Sequence, residues 1–475
     1  MPVERVFTQT EQLEFAALSG DTNPMHVDFV HARRLLLGKP VVHGVHLLLW
    51  ALEQAFEQCP ALEIRRIDVR FFKPVPVGET VRFHWSRRNN VFELEARLGT
   101  TVVLSAHGLL GRIAASTSVV VAEPPPERAC EEHDAEGLGR NPEGVDRLYL
   151  NLESSRRLFP HLSAKLPAVQ IAALLWSSRI IGMRCPGLHS IFTGMKLSRP
   201  EPSTPNSEPS YRLTGFDDRF SFATISMTSA GLEGVLSAFL RPKPAQQPSY
   251  ATIQAMVTSG EFTQIRGLVI GGSRGLGEVT AKLLAAGGAD VKTTYLTGKN
   301  DAKALCSEII AGGGTCSCHP LDVMDIQKDF RQILVNGWYP TDIFYYATPH
   351  IFEGRKKQFS TALFDTFIRI YLYAFASLLH AFDPDKPLRV LYPSTVAAEE
   401  LPADMTEYAC AKIAGETLCA SYSAQFPLWK ITVPRFPRLH TDQTASLYPV
   451  ENKDPVPILL DVLRKMISTG ATAAH

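Results

Sequence analysis

The stretch VHGVHLLLWALEQAFEQ, residues 42–58, decides the fold of the N-terminal part of the chain. Its long apolar core is typical of a buried helix. Four runs with alternating apolar and polar residues follow it: IRRIDVRFFKPV (64–75), TVRFHWSRR (80–88), VFELEARLG (91–99) and TVVLSAHGLL (101–110). Alternation with a period of two predicts strands of an antiparallel sheet. We therefore predict a sheet wrapped around one long helix.

The same order of elements occurs a second time. An apolar helix around VQIAALLWSSRIIG (169–182) precedes four strand-like runs: IFTGMKLS (191–198), SYRLTGFD (210–217), RFSFATISMTS (219–229) and GVLSAFLR (234–241). A helix wrapped by an antiparallel sheet is the hot-dog arrangement, so the pattern predicts an α+β double hot-dog. We interpret the proline-rich stretch at 199–210 as a long hairpin loop within the second hot-dog.

The C-terminal part alternates strands and helices from GLVIGG (267–272) onward, which is typical of an α/β Rossmann domain with a doubly wound parallel sheet. Stretches rich in proline and polar residues separate the parts. The predicted organisation is a catalytic hot-dog (1–121), a linker (122–144), a second, non-catalytic hot-dog (145–240), a linker (241–260) and the Rossmann domain (261–475).

The charge balance excludes several classes of partner. The 475 residues include 48 Lys+Arg and 48 Asp+Glu, so the formal net charge is zero. Such a chain has no field that would attract nucleic acid or an anionic membrane. The sequence shows no secretory signal and no apolar run of the roughly 20 residues that a membrane span needs. We expect a cytoplasmic protein without nucleic-acid or membrane partners.

The eight cysteines are scattered and do not resemble a disulfide framework. Cys316 and Cys318, followed by His319, invite a zinc interpretation, but a zinc site needs four ligands and no second pair is apparent. We also expect the strand TCSCHPLDV to direct the two thiols to opposite faces. The prediction is therefore no metal site and reduced thiols.

The first chemical constellation lies in FAALSGDTNPMHVDFVHA, residues 15–32. Pro24 disfavours a helical conformation at Asn23, so the peptide folds back and can aim Asp21 and His26 at one point. An acid–base pair around a shared water is what the reversible hydration of a polarised double bond needs. An isolated D-x₄-H is more often a turn with a surface histidine. The surrounding residues therefore decide between this interpretation and a catalytic pair.

Those residues, S-G-D-x-N-P-[hydrophobic]-H-x-D-x-x-x-A with VVHG (41–44) and FKPVPVGETV (72–81), resemble the MaoC-like (R)-specific enoyl hydratases, or hydratase 2 family. The resemblance implies that Asp21 and His26 are the catalytic pair. It also implies that an amide near Gly44 binds the thioester oxygen, where the helix N-terminus would stabilise an enolate. The second hot-dog has no such motif; its His161 and His189 are interpreted as structural, and its expected role is to complete the sheet and the acyl-binding tunnel.

The second constellation begins with GLVIGGSRGLGEVTAKLLAAGGADVKTTY, residues 267–295. A glycine-rich turn between a strand and a helix lets the backbone approach a pyrophosphate. Further on, Tyr408 and Lys412 share one helical face at a spacing of four, and Ser394 precedes them at a strand end. An ammonium beside the phenol favours the phenolate, so the tyrosine can exchange a proton with a carbonyl oxygen.

Together these features resemble the short-chain dehydrogenase/reductase family, especially ketoacyl reductases, over residues 265–465. The resemblance implies that Ser394, Tyr408 and Lys412 are catalytic. It assigns cofactor contacts to Gly271, Ser273, Arg274, Gly275, Leu276, Gly277, Asp322, Val323, Tyr408 and Lys412. NAD enzymes usually carry an acid where Tyr295 stands, whereas Arg274 and Lys299 suit the 2′-phosphate of NADP(H), the cofactor that we predict.

Several positions depart from the family pattern. The family's Asn-Asn-Ala-Gly is replaced by residues 345–348, Tyr-Tyr-Ala-Thr, and Tyr371 stands where a fourth catalytic Asn should fall. The family's Pro-Gly becomes Pro437-Arg438, and no seventh strand is obvious after ILLDVLRKMIS (458–468). These departures affect the proton relay behind Lys412 and the oligomer contacts through the last strand.

The two chemistries form a sequence. Reduction of a 3-oxoacyl thioester with NADPH gives a (3R)-hydroxyacyl thioester, which the hydratase type dehydrates to the trans-2-enoyl product. We predict a bifunctional, homo-oligomeric enzyme of fatty-acid-like or polyketide-like synthesis, acting on acyl carrier protein or coenzyme A thioesters. The alternatives are the reverse pair, hydration then oxidation as in β-oxidation, and a hydratase with a non-catalytic NADP-binding scaffold domain.

Overall fold

The computed structural model describes residues 3–35, 37–113, 123–124, 128–200, 208–354, 356–446 and 450–471. The chain divides into two compact units. The first contains Met1–Lys243, and the second contains Pro244–Ala445 together with Pro449–His475.

In the described part of the first unit, ten strands form one antiparallel sheet. The strands are β1 (Val3–Val6), β2 (Glu63–Phe71), β3 (Thr80–Arg88), β4 (Val91–Leu98), β5 (Thr101–Gly111), β6 (Glu143–Val145), β7 (Ser190–Ser198), β8 (Ser210–Asp217), β9 (Phe222–Thr228) and β10 (Glu233–Leu240). Their order is β1-β3-β4-β5-β2-β7-β10-β9-β8-β6. β2 and β7 pair across the centre, for example Ile67 with Leu197, so the two halves form one continuous sheet.

Each half of the sheet surrounds one long helix. The helices of this unit are α1 (Gln9–Ser19), α2 (Pro24–Val27), α3 (Phe29–Ala32), α4 (Gly44–Glu57), α5 (Ala135–Gly139), α6 (Leu152–Leu158), α7 (Pro160–Lys165) and α8 (Ala168–Arg179). α4 and α8 are buried along nearly their whole length, and α8 continues as a π-helix over Ile180–Arg184. This is the predicted double hot-dog.

Two sequence predictions need correction in this unit. β7 and β8 are not neighbours in the sheet, so the connection between them is a crossover and not a hairpin; its residues 201–207 lie outside the described part of the chain. The stretch predicted as a linker at 122–144 contains α5 and the start of β6, which pairs with β8. Proline and charge hid this short edge strand from the periodicity argument.

The second unit has the parallel sheet of a Rossmann domain. Its strands are β11 (Arg266–Ile270), β12 (Asp290–Tyr295), β13 (Thr315–Pro320), β14 (Asp342–Tyr345), β15 (Leu388–Leu391), β16 (Ser394–Thr395), β17 (Trp429–Thr432) and β18 (Arg435–Phe436). Six of them follow the order β13-β12-β11-β14-β15-β17, and β16 pairs with β18. Among the described residues no strand follows β18.

Helices cover this sheet: α9 (Tyr250–Gln254), α10 (Gly275–Ala286), α11 (Lys299–Ala311), α12 (Ile326–Ile333), α13 (Thr361–Ile368), α14 (Phe375–Leu379), α15 (Ala397–Glu400), α16 (Thr406–Gln425) and α17 (Pro455–Ala471). α13 and α14 are joined by a π-helix, Arg369–Ala374. The combined helix Thr361–Leu379 is long and apolar enough to cross a membrane by length and composition. Its Phe367, Tyr371 and Phe375 pack in the core of this unit, as in a core helix of a globular domain.

The thiol prediction for β13 also needs correction. Cys316 and Cys318 are two residues apart, and side chains with that spacing share one face of a strand. Both thiols contact Cys306 of α11, with 3.2 Å between the sulfurs of Cys306 and Cys316. All eight cysteines are free thiols.

Candidate active site

The loop between α1 and α2 carries the predicted acid–base pair. α1 is capped at its C-terminus by Gly20, whose φ of 72° needs the freedom of glycine. Asn23 then caps α2, and its side-chain amide donates to the carbonyl of Gly182 at 2.8 Å. Asp21 and His26 are only 2% and 7% exposed, so the structure brings both residues into the interior of the first unit.

The imidazole of His26 has a defined tautomer. Its Nδ1 lies 2.7 Å from the carbonyl oxygen of Val41, which can only accept a hydrogen bond, so Nδ1 carries the proton. Burial lowers the pKa of His26, and the nearby Asp21 opposes this shift. The ring is therefore neutral near pH 7, and its Nε2 lone pair can accept a proton.

The carboxyl group of Asp21 is held from two sides. Its Oδ2 accepts a hydrogen bond from the Ser178 hydroxyl at 2.7 Å, and its Oδ1 accepts one from the backbone N–H of Asn23 at 3.3 Å. Burial raises the pKa of Asp21, while His26 and Ser178 oppose the shift. Ser178 belongs to α8, so the second hot-dog supplies a residue to this site.

The same helix leaves room for the carboxyl group only because it carries a glycine. A Cβ on Gly182 would lie 2.2 Å from Oδ1 of Asp21, far inside van der Waals contact. Gly182 lies in the π-helical continuation of α8, which brings its backbone against the α1–α2 loop. The close approach of these two segments sets the position of Asp21.

Three side chains at this site could in principle ligate a metal ion. Ligand atoms of Asp21, His26 and His43 lie within 4.8 Å of one another. Both ring nitrogens of His43, however, already face protein oxygens, the backbone carbonyl of Asp21 at 3.0 Å and Oε1 of Gln12 at 3.1 Å. The geometry therefore fits acid–base chemistry better than metal binding.

The predicted thioester-binding amide lies at the start of α4. Gly44 is the first residue of this helix, and no side chain caps that end. Among the described residues its N–H donates to no protein acceptor. A free amide at a helix N-terminus can bind an oxygen that gains negative charge. A Cβ on Gly44 would lie 3.1 Å from the ring of Phe71, so glycine also allows this ring to approach.

The glycine-rich turn of the second unit has the geometry of a phosphate cradle. Gly271 and Gly275 have φ values of 76° and 58°, which favour glycine. A Cβ on Gly277 would lie 2.5 Å from the carbonyl oxygen of Gly271, so α10 packs against the turn only without a side chain there. No side chain caps the start of α10. The turn therefore fits the pyrophosphate of a dinucleotide.

The other predicted cofactor residues lie around this turn and at the strand ends. Ser273 is buried within the turn, and Leu276 packs against the core of the unit. Arg274 lies 3.4 Å from a carboxylate oxygen of Asp442. Asp322 accepts the N–H of Met324 at 2.8 Å after β13, and Val323 packs beside the core.

The Ser394, Tyr408 and Lys412 side chains are buried, but their contacts differ from the prediction. The Ser394 hydroxyl donates to Glu416, and the phenol of Tyr408 is hydrogen-bonded to Thr395. The Lys412 ammonium donates to the carbonyl of Pro393 at 2.7 Å. Burial raises the pKa of Tyr408 to about 12 and lowers that of Lys412 to about 7, so the predicted shift of Tyr408 towards phenolate is wrong. Desolvation raises the pKa of Tyr408, and only its hydrogen bond with Thr395 opposes this shift.

Tyrosines occupy the space behind the lysine. The ammonium of Lys412 lies 3.8 Å from the ring centre of Tyr371 and 4.9 Å from that of Tyr392, as in a cation–π contact. The hydroxyl of Tyr371 is paired with that of Thr348 at 2.5 Å. Tyr371 and Thr348, two of the positions that depart from the family pattern, thus contact each other.

The two halves of this geometry match two known families. Residues 2–107 match the MaoC like domain, and residues 267–437 match the short chain dehydrogenase family. The chain joins a MaoC-like domain to a short-chain dehydrogenase domain. Peroxisomal multifunctional enzyme type 2 of Mus musculus is 31% identical over 108 residues, which cover 22% of this chain and 15% of that relative. The match thus spans well under two thirds of the relative's length.

Solved structures are also similar to the C-terminal part of this chain. The angucycline C-6 ketoreductase LanV with bound NADP is 20% identical, with a TM-score of 0.40 over 44% of this chain and 90% of its own. A short chain dehydrogenase from Burkholderia cenocepacia in complex with NADP is 21% identical, with a TM-score of 0.38 over 43% and 91% of the two chains.

Sequence reasoning missed two residues of the MaoC-like site. Ser178 and Gly182 belong to a helix that was assigned only a structural role, and nothing in their local sequence indicates a contact with Asp21. The consecutive polar residues Ser177 and Ser178, near the end of a largely apolar helix, are a signal that could have drawn attention to it.

Proposed function

We propose that the MaoC-like domain interconverts trans-2-enoyl and (3R)-hydroxyacyl thioesters by adding or removing water. The observation that carries this proposal is the buried pair of Asp21 and His26, with opposite pKa shifts. Burial favours the protonated form of the carboxyl group and the neutral form of the imidazole, and their polar atoms lie within 4.8 Å of each other.

The residues suit each step of hydration. Nε2 of His26 accepts a proton from water as the water oxygen bonds to C3 of the enoyl group. The electron pair of the double bond moves onto the thioester oxygen, where the N–H of Gly44 stabilises the enolate. Asp21 then gives its proton to C2, and the proton on His26 passes to Asp21. Dehydration follows the same steps in reverse.

Two substitutions test this proposal. Asp21→Asn and His26→Ala should each lower the rate of hydration of a crotonyl thioester by about 10²–10⁴, because each removes a positioned acid–base group. The circular dichroism spectrum and any NADPH oxidation should be unchanged. Either variant keeping most of the wild-type hydration rate would overturn the assignment.

We further propose that the short-chain dehydrogenase domain reduces 3-oxoacyl thioesters with NADPH. The cofactor would be held by the glycine-rich turn at Gly271, Gly275 and Gly277, with Arg274 near its 2′-phosphate and with Asp322 and Val323 at the adenine. When bound, NADPH supplies the hydride. Tyr408 supports the reductive direction, because a phenol with a pKa of about 12 is protonated and can give its proton to a nascent alkoxide. Oxidation would need the phenolate.

The product of this reduction is the substrate of the dehydration. A covalent fusion raises the local concentration of the shared (3R)-hydroxyacyl intermediate. We therefore propose a bifunctional ketoreductase–dehydratase that acts on acyl carrier protein or coenzyme A thioesters in a fatty-acid-like or polyketide-like synthesis.

A second candidate function has one observation in its favour. The ammonium of Lys412 lies 3.8 Å from the ring centre of Tyr371 but 6.0 Å from that of Tyr408, Ser394 is paired with Glu416, and the phenol of Tyr408 is hydrogen-bonded to Thr395. A domain in this state would bind NADPH without turnover and serve as a scaffold beside a working hydratase. NADPH oxidation with a 3-oxoacyl thioester separates the two candidates. If wild type is inactive, Tyr371→Asn should restore turnover by opening the space behind Lys412.

A further inference from the structure

His43 contacts both members of the acid–base pair, although the sequence motif gave it no role. It is fully buried and lies directly before α4. Its ring stacks on that of His26, with 3.8 Å between the ring centres and 22° between the planes. Its Nε2 lies 3.0 Å from the backbone carbonyl oxygen of Asp21. One side chain therefore touches the imidazole and the loop that carries the carboxyl group.

Gln12 of α1 fixes the other side of the His43 ring. Its Oε1 lies 3.1 Å from Nδ1 of His43 and accepts the backbone N–H of His43 at 3.2 Å. The amide nitrogen of Gln12 in turn lies 3.1 Å from Nδ1 of His46. Because both ring nitrogens of His43 face oxygens, the ring cannot turn without losing both contacts.

Packing alone would favour an apolar ring over a histidine at position 43. Burial keeps the pKa of His43 well below its ordinary value, so the ring is neutral and has a single N–H. One of its two nitrogen–oxygen contacts is therefore unmatched, which costs stability in a buried site. We assign the single proton to Nε2, from which it is donated to the backbone carbonyl oxygen of Asp21; Oε1 of Gln12 keeps the backbone N–H of His43 as its donor. An apolar ring of similar size would avoid the cost but could not hold the loop.

We propose that His43 is a positioning residue for the acid–base pair: it holds the ring of His26 by stacking and the backbone of Asp21 by a hydrogen bond. This inference rests on the proposed hydratase function. We expect His43 to affect the rate of the chemical step, because His26 must be aligned with the attacking water while Asp21 is aligned with C2 of the same substrate. A misplacement of about 1 Å can cost on the order of 100-fold in rate.

Two substitutions separate the ring from the hydrogen bond. His43→Phe keeps a stacked ring without a donor, and His43→Gln keeps a donor without the ring. We expect His43→Phe to lower kcat for crotonyl thioester hydration by about tenfold to a hundredfold with KM within about twofold, because only the alignment of the reacting groups is lost. His43→Gln should recover part of that loss.

The matched control is His161→Phe, which replaces a histidine of the same unit that contacts neither Asp21 nor His26, and it should keep the wild-type kcat. Gln12→Met frees the His43 ring without altering either reacting residue, so it should show a smaller loss of the same kind. Thermal unfolding identifies variants that do not fold. A wild-type kcat in Gln12→Met and in whichever His43 variants fold would overturn the proposal.

An NMR measurement that does not depend on turnover distinguishes a failure of the positioning role of His43 from a failure of the proposed hydratase function. In ¹⁵N-histidine-labelled wild-type protein, we expect a slowly exchanging Nδ1–H of His26, bonded to Val41, and we expect His43→Phe and His43→Gln to broaden or shift that signal. If wild type does not hydrate enoyl thioesters, the proposed function fails. The positioning role of His43 is then tested by this spectrum alone. An unchanged His26 signal in both variants would overturn the positioning role.

Discussion

The hydroxyl of Ser178 donates a hydrogen bond of 2.7 Å to Oδ2 of Asp21. The two residues lie 157 positions apart in the chain, one in each hot-dog. The half that lacks the D-x₄-H motif is therefore part of the proposed catalytic site, because it holds the carboxyl group in place. A MaoC-like domain isolated at residue 121 would lose this contact.

Ser178→Ala should lower kcat for enoyl thioester hydration by about tenfold to a hundredfold, because the hydroxyl holds the carboxyl group of Asp21 in place and a misplacement of about 1 Å can cost on the order of 100-fold in rate. Ser177→Ala is the matched control. Ser177 is the preceding buried serine of α8, and its hydroxyl donates to the backbone carbonyl of Leu174. Steady-state kinetics of both variants decide the point: equal activity of the two would show that Ser178 does not support Asp21.

Gly182→Ala should abolish hydration while leaving the second unit intact. The added Cβ would lie 2.2 Å from Oδ1 of Asp21, so the carboxyl group must leave its described position. Gly215→Ala is a suitable control, because a Cβ there meets nothing within 4 Å. The measurement is hydration of a crotonyl thioester together with thermal unfolding. Full activity of Gly182→Ala would contradict the described position of Asp21.

The first unit should lose stability as the pH falls below neutrality. Burial lowers the pKa of His46 from 6.5 to about 3, so below pH 6.5 the unfolded chain binds a proton that the folded chain excludes. Linkage gives a loss of about 2 kcal/mol at about pH 5 from this residue. Urea unfolding of wild type and His46→Gln should therefore converge as the pH falls from about 7.5 to 5. A difference that does not change with pH would contradict a neutral, buried His46.

Arg274→Ala should weaken NADPH binding by about tenfold to a hundredfold and leave NADH binding nearly unchanged, because only NADPH presents a 2′-phosphate to the guanidinium. Lys303→Ala, which removes an exposed cation of α11, should affect neither cofactor. Fluorescence titration with both cofactors measures the effect. Equal losses for NADPH and NADH would mean that the contact of Arg274 with Asp442 is its whole role.

Local patterns were enough to predict the architecture. The period-two runs after two apolar helices predicted the double hot-dog, and the strand–glycine turn–helix order predicted the Rossmann domain. Pairings between distant segments were not predictable: whether β7 and β8 are neighbours depends on the whole sheet, which no local period encodes. The same limit hid β6 within a proline-rich stretch.

In the candidate sites, too, residues within one motif were predictable, whereas contacts between distant segments were not. Asp21, His26 and Gly44 lie within one short motif and its following helix, so their proximity could be inferred. The supports Ser178, Gly182 and His43 act through packing between separate elements. The electrostatics of Tyr408 were predicted with the wrong sign, because spacing reveals the neighbouring Lys412 but not the desolvation of both groups.

The most direct test of the bifunctional proposal is incubation of the full chain with NADPH and an acetoacetyl thioester, on coenzyme A and on acyl carrier protein, with the products identified by mass. The proposal predicts NADPH oxidation and a crotonyl product. Tyr408→Phe should bind NADPH without oxidising it, yet still dehydrate added (3R)-hydroxybutyryl thioester. A wild-type chain that oxidises no NADPH on either carrier, or a Tyr408→Phe variant that oxidises it as fast as wild type, would contradict the proposal.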